Sequence, residues 1–218
     1  MSASPAPARP EPAPYGAADF RRDFGATEAQ MADLERFRVM VKETNAVMNL
    51  VGPRTLPEFW SRHVLDSAQL LKIAPDALTW ADLGAGAGFP GVVLAILLKG
   101  RQGARVELVD SLTKRCRFLQ TVVDALDLPA LVHNARAESL TLKVEVVTAR
   151  ACAPLTKLLG FSRPYFRLGA LGLFLKGEAA EDELIEARKS WKLDADLLPS
   201  LSDPRGRVVR IRRLDRAR

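Results

Sequence analysis

Apolar residues follow two different rhythms along this chain. In the first part they recur at intervals of three and four, as at Met31, Leu34 and Phe37, which predicts an amphipathic helix over residues 28–44. A second helix is predicted over residues 57–71. The pattern therefore indicates a helical region that precedes the rest of the fold.

From residue 79 onward, short apolar runs alternate with helical stretches. The predicted strands are 79–83, 105–110, 130–133, 144–149 and 171–175. The predicted helices are 90–99, 112–126, 153–168 and 178–190. Strands separated by such helices pair in parallel through right-handed crossovers, so the pattern predicts an α/β fold with a Rossmann-like sheet. A closing β-hairpin is predicted from residues 191–197 and 207–212, which flank the turn signal Asp203-Pro204-Arg205-Gly206.

Composition divides the chain into three parts. Residues 1–18 contain five prolines and many alanines, and we expect them to be a disordered tail. Residues 19–77 are expected to form an N-terminal helical subdomain, and residues 78–218 a Rossmann-like domain with a basic end. The last 14 residues hold seven arginines, which would attract phosphate or serve only to keep the chain in solution.

The overall composition is that of a globular protein with excess positive charge. Hydrophobic residues make up 48% of the 218 residues, and the formal net charge is +6. The longest apolar run, 92–98, is too short to span a bilayer, and the first residues lack a signal-peptide pattern. Cys116 and Cys152 have neither metal-binding nor disulfide spacing. We therefore expect a cytoplasmic protein without a bound metal or a membrane partner.

The segment between the first predicted strand and the next helix carries the strongest motif. It reads ADLGAGAGFPG over residues 81–91. The dinucleotide loop G-x-G-x-x-G requires glycine at position 89, where this chain has Phe89. An acidic-x-Gly-x-Gly-x-Gly series fits instead, with Asp82, Gly84, Gly86 and Gly88. A carboxylate ahead of the turn suits the cationic groups of S-adenosylmethionine better than a pyrophosphate. We therefore expect this cofactor, and the alternative is a glycine-rich turn without a ligand.

Further candidates stand at the carboxyl ends of the predicted strands, where ligands bind in parallel sheets. Asp110 lies 22 residues after Gly88 and could bind ribose hydroxyls, cap the next helix, or do both. Arg150 and Lys176 end the fourth and fifth strands. The helix after Asp110 begins with three cations that could bind RNA phosphates or form a solvated face, namely Lys114, Arg115 and Arg117.

Two residues of the helical region are also candidates. Arg62 and His63 are predicted RNA contacts, and Asp66 follows His63 by three residues. The alternative is a structural histidine that Asp66 orients within the helices. No Ser-His-Asp or Cys-His spacing indicates a nucleophilic triad, so the sequence assigns no catalytic residue.

The residues after the fourth strand bear on the methyl acceptor. Enzymes that methylate adenine amines carry an Asn/Asp-Pro-Pro-aromatic loop there, and residues 148–154 do not. Methylation of cytosine C5 requires a cysteine nucleophile, and Cys152 is nearby but lacks the preceding proline. Guanine N7 has a free lone pair and needs no proton removal, so positioning could supply most of the acceleration. Guanine N7 is thus consistent with the absence of a catalytic dyad.

Taken together, these residues resemble the RsmG/GidB family of bacterial methyltransferases over most of residues 28–213. The blocks that carry the resemblance occur in order: Asn49-Leu50, Arg62-His63-x-Leu65-Asp66-Ser67, Asp82 to Gly91, Leu108 to Leu119, Arg136-Ala137-Glu138, Arg150-Ala151 and Lys176-Gly177. Any single block is weak, whereas all of them in order are specific.

The resemblance implies a class I S-adenosylmethionine-dependent methyltransferase of guanine N7 in 16S ribosomal RNA. Its substrate would be the small ribosomal subunit or a precursor, and we expect it to act as a monomer. The family's cofactor contacts would be Gly84, Phe89, Ala137, Glu138 and Arg150, with adenine near Ala137 and Glu138. Three alternatives stay open: a methyltransferase of another RNA, a non-enzymatic RNA-binding module, and a nicotinamide-dependent oxidoreductase. The intact glycine series disfavours the second, and Phe89 disfavours the third.

Overall fold

The computed structural model describes residues 14–52 and 55–217. The α-helices are α1 (Ala17–Phe24), α2 (Glu28–Met48), α3 (Asp66–Ile73), α4 (Gly91–Leu98), α5 (Thr113–Leu126), α6 (Leu155–Arg167) and α7 (Ala180–Arg188). A π-helical segment, Phe59–Leu65, precedes α3, and a 3₁₀ turn covers Ala137–Ser139. The strands are β1 (Thr79–Leu83), β2 (Arg105–Asp110), β3 (Ala130–Asn134), β4 (Val146–Arg150), β5 (Leu171–Lys176), β6 (Trp191–Pro199) and β7 (Arg207–Arg216).

The strands form a single mixed sheet in the order β3-β2-β1-β4-β5-β7-β6. Strands β1 to β5 are parallel, whereas β7 runs antiparallel between β5 and β6. The order of parallel strands reverses between β1 and β4, and such a switch point opens a crevice at the carboxyl ends of the strands. The predicted Rossmann-like sheet and closing hairpin are confirmed.

Helices cover both faces of the sheet. On one face, α4 and α5 pack with α2 and α3 around residues such as Phe37 and Val92. On the other face, α6 and α7 pack around residues such as Leu159 and Phe174. Phe37 of α2 therefore shares a hydrophobic core with Val92 of α4, so the helical region packs directly on the helices that cover the sheet. The division into residues 1–18, 19–77 and 78–218 stays a prediction.

The boundaries of β1 and β2 agree with the prediction, and most other elements shift by a residue or two. Strand β4 begins at Val146, later than the predicted residue 144. Glu145 still donates its backbone N–H to the Thr79 carbonyl oxygen at 3.0 Å and accepts from the Leu171 N–H at 2.8 Å, and its carboxylate accepts from the N–H groups of Leu78 and Thr79 at 2.8 Å each. The buried Val144 prolongs the apolar run without pairing.

The helical region differs more from its prediction. The helix predicted over 28–44 continues to Met48 and begins with a capping box between Thr27 and Gln30. The helix predicted over 57–71 is instead the π-helical segment followed by α3. Residues 1–13 of the predicted tail lie outside the described residues, so disorder there stays a prediction. Residues 17 and 18 already belong to α1, because Phe20 is fully buried and anchors that helix.

Candidate functional site

A cleft of about 780 Å³ opens at the β1/β4 switch point. Its walls come from several elements: the glycine loop after β1, the π-helical segment, the first turn of α5, the ends of β4 and β5, and the β6–β7 turn. The predicted site residues that line it are Gly84, Gly86, Phe89, Arg62, His63, Arg115, Arg150 and Lys176. The fold thus brings both cofactor and RNA candidates to one place.

The three glycines of the loop all have positive φ, at 72° for Gly84, 55° for Gly86 and 95° for Gly88. A Cβ on Gly84 would lie 2.7 Å from the Cys152 sulfur, and a Cβ on Gly88 would lie 2.6 Å from Val92. At Gly86 the nearest atom would be the Gly84 carbonyl oxygen at 3.6 Å. Gly84 and Gly88 are therefore required by packing, whereas the space beside Gly86 faces the cleft.

Asp82 lies beneath the glycine loop and does not line the cleft. It is 0% exposed, and its Oδ2 accepts a hydrogen bond of 2.8 Å from the Gly91 N–H at the start of α4. Its Oδ1 has no hydrogen-bond partner among the described residues. Burial raises the pKa of Asp82 to about 7, even though the Gly91 hydrogen bond opposes the shift. The carboxylate expected ahead of the turn is therefore a buried support of the loop.

The raised pKa of Asp82 predicts a pH-dependent cost to folding. In the unfolded chain this carboxyl ionises at its ordinary pKa of 3.8, whereas the folded protein holds the proton until about pH 7. Stability therefore falls as pH rises between these two values. Asp82→Asn lacks this titrating group, so its stability should not show this fall. From pH 5 to pH 8 the free energy of unfolding of the wild type should therefore fall by about 2.5 kcal/mol relative to that of the variant. Urea unfolding at both pH values measures the shift, and equal differences at both would contradict it.

Asp110 ties the glycine loop to the start of α5. Its Oδ2 accepts from the Gly86 N–H at 3.0 Å, and its Oδ1 accepts from the Leu112 N–H at 2.8 Å. The Arg115 guanidinium lies 3.6 Å away. Asp110 thus forms a turn ahead of α5 and also fixes the loop, but it does not cap the helix, because the N-cap residue is Leu112 and no side chain of the described residues accepts from the first helical N–H groups. Its proposed contact with ribose would use the remaining lone pairs.

Arg150 is the centre of a polar network that crosses the cleft. Its guanidinium donates to the Arg62 carbonyl oxygen at 2.7 Å, to Asp66 Oδ2 at 3.3 Å and to His63 Nδ1 at 2.9 Å. It also lies 4.9 Å from the centroid of the Phe89 ring. The end of β4 is therefore bound to the π-helical segment, and Phe89 packs against both.

His63 is held neutral in this network. Its ring stacks on Phe89 at 4.6 Å, and its Nε2 lies 3.1 Å from Thr55 Oγ1. Since Arg150 donates to Nδ1, the proton sits on Nε2 and is donated to Thr55. Burial and the charges of Arg150 and Arg62 lower the pKa of His63 to about 3. Only 5% of His63 is exposed, so the predicted contact with RNA would have to be made by the small exposed part of its ring.

Asp66 does not orient His63, because it binds other partners. Its carboxylate pairs with Arg150 and accepts from the Ser202 hydroxyl at 2.6 Å and from Gln69 Nε2 at 3.0 Å. Gln69 in turn accepts from the Leu201 N–H at 2.8 Å. These contacts attach the β6–β7 turn to α3 as a wall of the cleft. Sequence reasoning missed Gln69 and Ser202, and nothing local in the sequence signals contacts between residues so far apart in the chain.

Lys176 lines the cleft, but its ammonium already has internal partners. It donates to the Ala153 carbonyl oxygen at 2.6 Å and to Glu183 at 2.8 Å, and its side chain is 9% exposed. The same Glu183 carboxylate accepts from the Leu155 N–H. In this structure Lys176 holds the loop between β4 and α6, where Ala151 adopts a positive φ of 50°.

The other predicted residues lie around the cleft rather than in it. Ala137 and Glu138 form the 3₁₀ turn after β3, where the Tyr165 hydroxyl donates to the Ala137 carbonyl oxygen at 3.3 Å. Lys114 and Arg117 face a separate groove between α2 and α5. The cations of the first turn of α5 are therefore split between two surfaces.

The cysteines show no sign of activation. Burial raises the pKa of both the Cys116 and the Cys152 thiol, so both are protonated at neutral pH. Within residues 14–52 and 55–217, no group of three His, Cys, Asp or Glu residues could hold a metal ion. In the same part of the chain, no helix is long and apolar enough to cross a membrane.

The sheet order and the cleft at its switch point are those of the class I S-adenosylmethionine-dependent methyltransferase fold. The structure of an O-methyltransferase from Bacillus cereus in complex with SAH matches 84% of this chain and 91% of its own, with a TM-score of 0.55 and 14% identity. A SAM-dependent methyltransferase from Aquifex aeolicus matches 80% of this chain and 98% of its own, with a TM-score of 0.54 and 15% identity. At these identities the likeness shows the fold alone, and it confirms the predicted fold class.

Sequence comparison identifies the family. A model of the GidB family, described as rRNA small subunit methyltransferase G, matches residues 30–204. The ribosomal RNA small subunit methyltransferase G of Caulobacter vibrioides (strain NA1000 / CB15N) is 63% identical over 202 residues, which are 93% of this chain and 94% of the relative. This chain belongs to the GidB family of small-subunit ribosomal RNA methyltransferases, and its fold and family together imply S-adenosylmethionine as the cofactor. The expected family and cofactor are confirmed.

Proposed function

We propose that this protein transfers a methyl group from S-adenosylmethionine to N7 of a guanine in 16S ribosomal RNA. The observation that carries the proposal is the state of His63, the imidazole that lines the cleft. Both of its ring nitrogens are in hydrogen bonds, and its pKa is held at about 3. It cannot take a proton from a substrate at neutral pH. An acceptor that needs no proton removal fits this site best.

Guanine N7 is such an acceptor. S-adenosylmethionine, when bound, supplies an electrophilic methyl group on a sulfonium. The N7 lone pair would form the new bond to the methyl carbon as its bond to the sulfonium sulfur is lost, and the positive charge would pass to the purine. No proton leaves, so the protein's task is to align the two groups in a site that excludes water.

The neighbouring carboxylates also support an acceptor without a proton to lose. Asp66 is paired with Arg150, and Glu183 is paired with Lys176. Both carboxylates also accept further hydrogen bonds, Asp66 from the Ser202 hydroxyl and from Gln69, and Glu183 from the Leu155 N–H. These groups would therefore orient the walls of the cleft rather than take part in proton transfer.

The residues around the glycine loop fit the cofactor. Gly86 lines the cleft without a side chain, so a ligand could lie against its backbone where a side chain would block the approach. Asp110, at the end of β2, would accept hydrogen bonds from ribose hydroxyls. We assign Gly84, Phe89 and Arg150 to the part of the site near the methyl group, and Ala137 and Glu138 to the adenine. Asp82 and Gly88 would not contact the cofactor and would instead fix the conformation of the glycine loop.

Arg62 and Arg115 are suited to contact RNA at the mouth of the cleft. They are 48% and 41% exposed at the side chain, and each has only a loose ion pair, at 3.6 Å, with Glu58 and Asp110 respectively. Both therefore have N–H donors left for phosphate oxygens. We propose that the substrate is the small subunit or its precursor and that the enzyme acts as a monomer in the cytoplasm.

Chemical scission tests the position of the methyl group. RNA that carries 7-methylguanosine is cleaved by aniline after borohydride reduction, because the cationic ring is reduced and the base is lost. We expect 16S RNA from small subunits of cells that lack this enzyme to become cleavable at a guanosine after incubation with the protein and S-adenosylmethionine. RNA that acquires labelled methyl groups and resists cleavage would place the methyl group on another atom.

A further inference from the structure

A second depression lies beside the cleft, between α2 and α5, and is called here the α2–α5 groove. Its volume is about 430 Å³. Met40 and Met48 of α2 and Phe118 of α5 give it apolar surface, and Lys114 and Arg117 add two positive charges. None of the cofactor residues discussed above lies in it.

The α2–α5 groove adjoins the cleft on both of its helices. On α2, Met48 lines the groove, while Leu50 and Val51, which follow it closely, line the cleft. On α5, Lys114 lines the groove and its neighbour Arg115 lines the cleft. A chain molecule bound in the cleft would therefore reach the groove over a short distance.

The charges of the α2–α5 groove are available to a ligand. Lys114 and Arg117 are exposed, and neither forms an ion pair with another residue of the described chain, whereas Arg115 is near Asp110 and Lys176 is bound to Glu183. Glu43 also lines the groove, so the set retains one net positive charge. Free cations suit phosphates, and apolar surface beside them suits the face of an unstacked base.

We propose that the α2–α5 groove binds a single-stranded segment of the substrate RNA next to the target nucleotide. Its phosphates lie on Lys114 and Arg117, and a base packs against the partly exposed Met40 and Met48 and the small exposed part of Phe118. RNA-modifying sites commonly take splayed, unpaired nucleotides, since only these present free base faces. The proposal rests on the proposed function in one respect, namely that the substrate is RNA. It does not depend on which guanine atom is methylated.

Two matched double variants test the phosphate contacts. Lys114→Ala with Arg117→Ala removes two charges from the groove. Lys143→Ala with Lys192→Ala removes two charges from exposed positions outside the groove, one just before the central strand β4 and the other in the edge strand β6. Binding to small subunits is measured from 50 to 200 mM salt. We expect the groove variant to bind more weakly than wild type. The plot of log affinity against log salt should also become less steep by about 1.4, which is the value for losing two phosphate contacts to a single strand. The control should keep the wild-type slope.

A third variant tests the apolar part of the groove. Thr121 is an exposed residue of its lining, so Thr121→Trp should fill the groove without disturbing the core. We expect several-fold weaker binding to small subunits at an unchanged salt slope. Affinity for S-adenosylmethionine should stay at the wild-type value in all three variants, which shows that they fold.

A photo-crosslinking residue in place of Val47, which is 85% exposed beside the groove, identifies the occupant. We expect a crosslink to 16S RNA. A crosslink to a ribosomal protein alone would overturn the proposal, as would a groove variant that behaves like its control or a Thr121→Trp protein of normal affinity. If these results hold while nucleoside analysis finds the methyl group on another atom, only the assignment to N7 fails.

Discussion

Gly86→Val should abolish binding of S-adenosylmethionine while the protein stays folded. Gly86 lines the cleft with φ of 55°, and a Cβ there would meet no atom closer than the Gly84 carbonyl oxygen at 3.6 Å. A branched side chain there would occupy the volume that the cofactor needs. We expect at least a ~100-fold loss of affinity, which corresponds to about 2.7 kcal/mol. Isothermal titration calorimetry measures this loss directly.

Gly25→Val is the matched control for this variant. Gly25 ends α1 with φ of 61°, and nothing lies within 4 Å of a Cβ built there. Both substitutions force a branched residue into the left-handed region, at about 1–2 kcal/mol each. Only Gly86→Val should lose the rise in melting temperature that the cofactor causes. Normal binding by Gly86→Val, or equal loss in both variants, would contradict the placement of the site.

Arg150→Met should weaken the cofactor site and the fold together. The substitution removes the hydrogen bonds to the Arg62 carbonyl, Asp66 and His63, and it leaves the Asp66 carboxylate without its cation. Losing one partner of a largely buried pair typically costs on the order of 3 kcal/mol. Because Arg150 also fixes His63 and Phe89, we expect a ~10–100-fold loss of cofactor affinity, or about 1.4–2.7 kcal/mol. Urea unfolding and calorimetry measure the two effects.

Arg62→Met separates these effects from the simple loss of a positive charge at the cleft. Its guanidinium is exposed and pairs only loosely with Glu58, and its carbonyl oxygen, which Arg150 uses, is retained. Stability and cofactor affinity should therefore change little, by less than about 1 kcal/mol. Binding to small subunits should weaken. An Arg150→Met protein with normal cofactor affinity would remove Arg150 from the cofactor site.

The parts of the fold that the sequence predicts well are those with local signals. Strands β1 and β2 each group apolar residues between turn signals and are almost entirely buried, although Asp82 and Glu107 interrupt the apolar residues, and their predicted bounds agree with the structure. The glycine series needs only its own spacing to indicate a cofactor loop. The π-helical segment is different, because the apolar residues from Phe59 to Leu65 fit an α-helix as well as a wider turn.

The site required information that local patterns do not contain. Arg150 meets His63, and Asp66 meets Ser202, only through the closure of the sheet and its hairpin. The same holds for Lys176, whose predicted freedom to bind RNA is limited by Glu183 on the following helix. The residue types were sufficient to nominate most of these side chains. Their partners, and hence which charges remain available, follow from the tertiary structure.

Methyl transfer to small subunits tests the central claim most directly. The protein is incubated with radiolabelled S-adenosylmethionine and small subunits from cells that lack this enzyme, and the labelled nucleoside is identified by mass spectrometry. We predict 7-methylguanosine in 16S RNA with the wild-type and Gly25→Val proteins, and none with Gly86→Val. Another labelled nucleoside would contradict the assignment to guanine N7. Cofactor binding without any labelled RNA would contradict the proposed substrate.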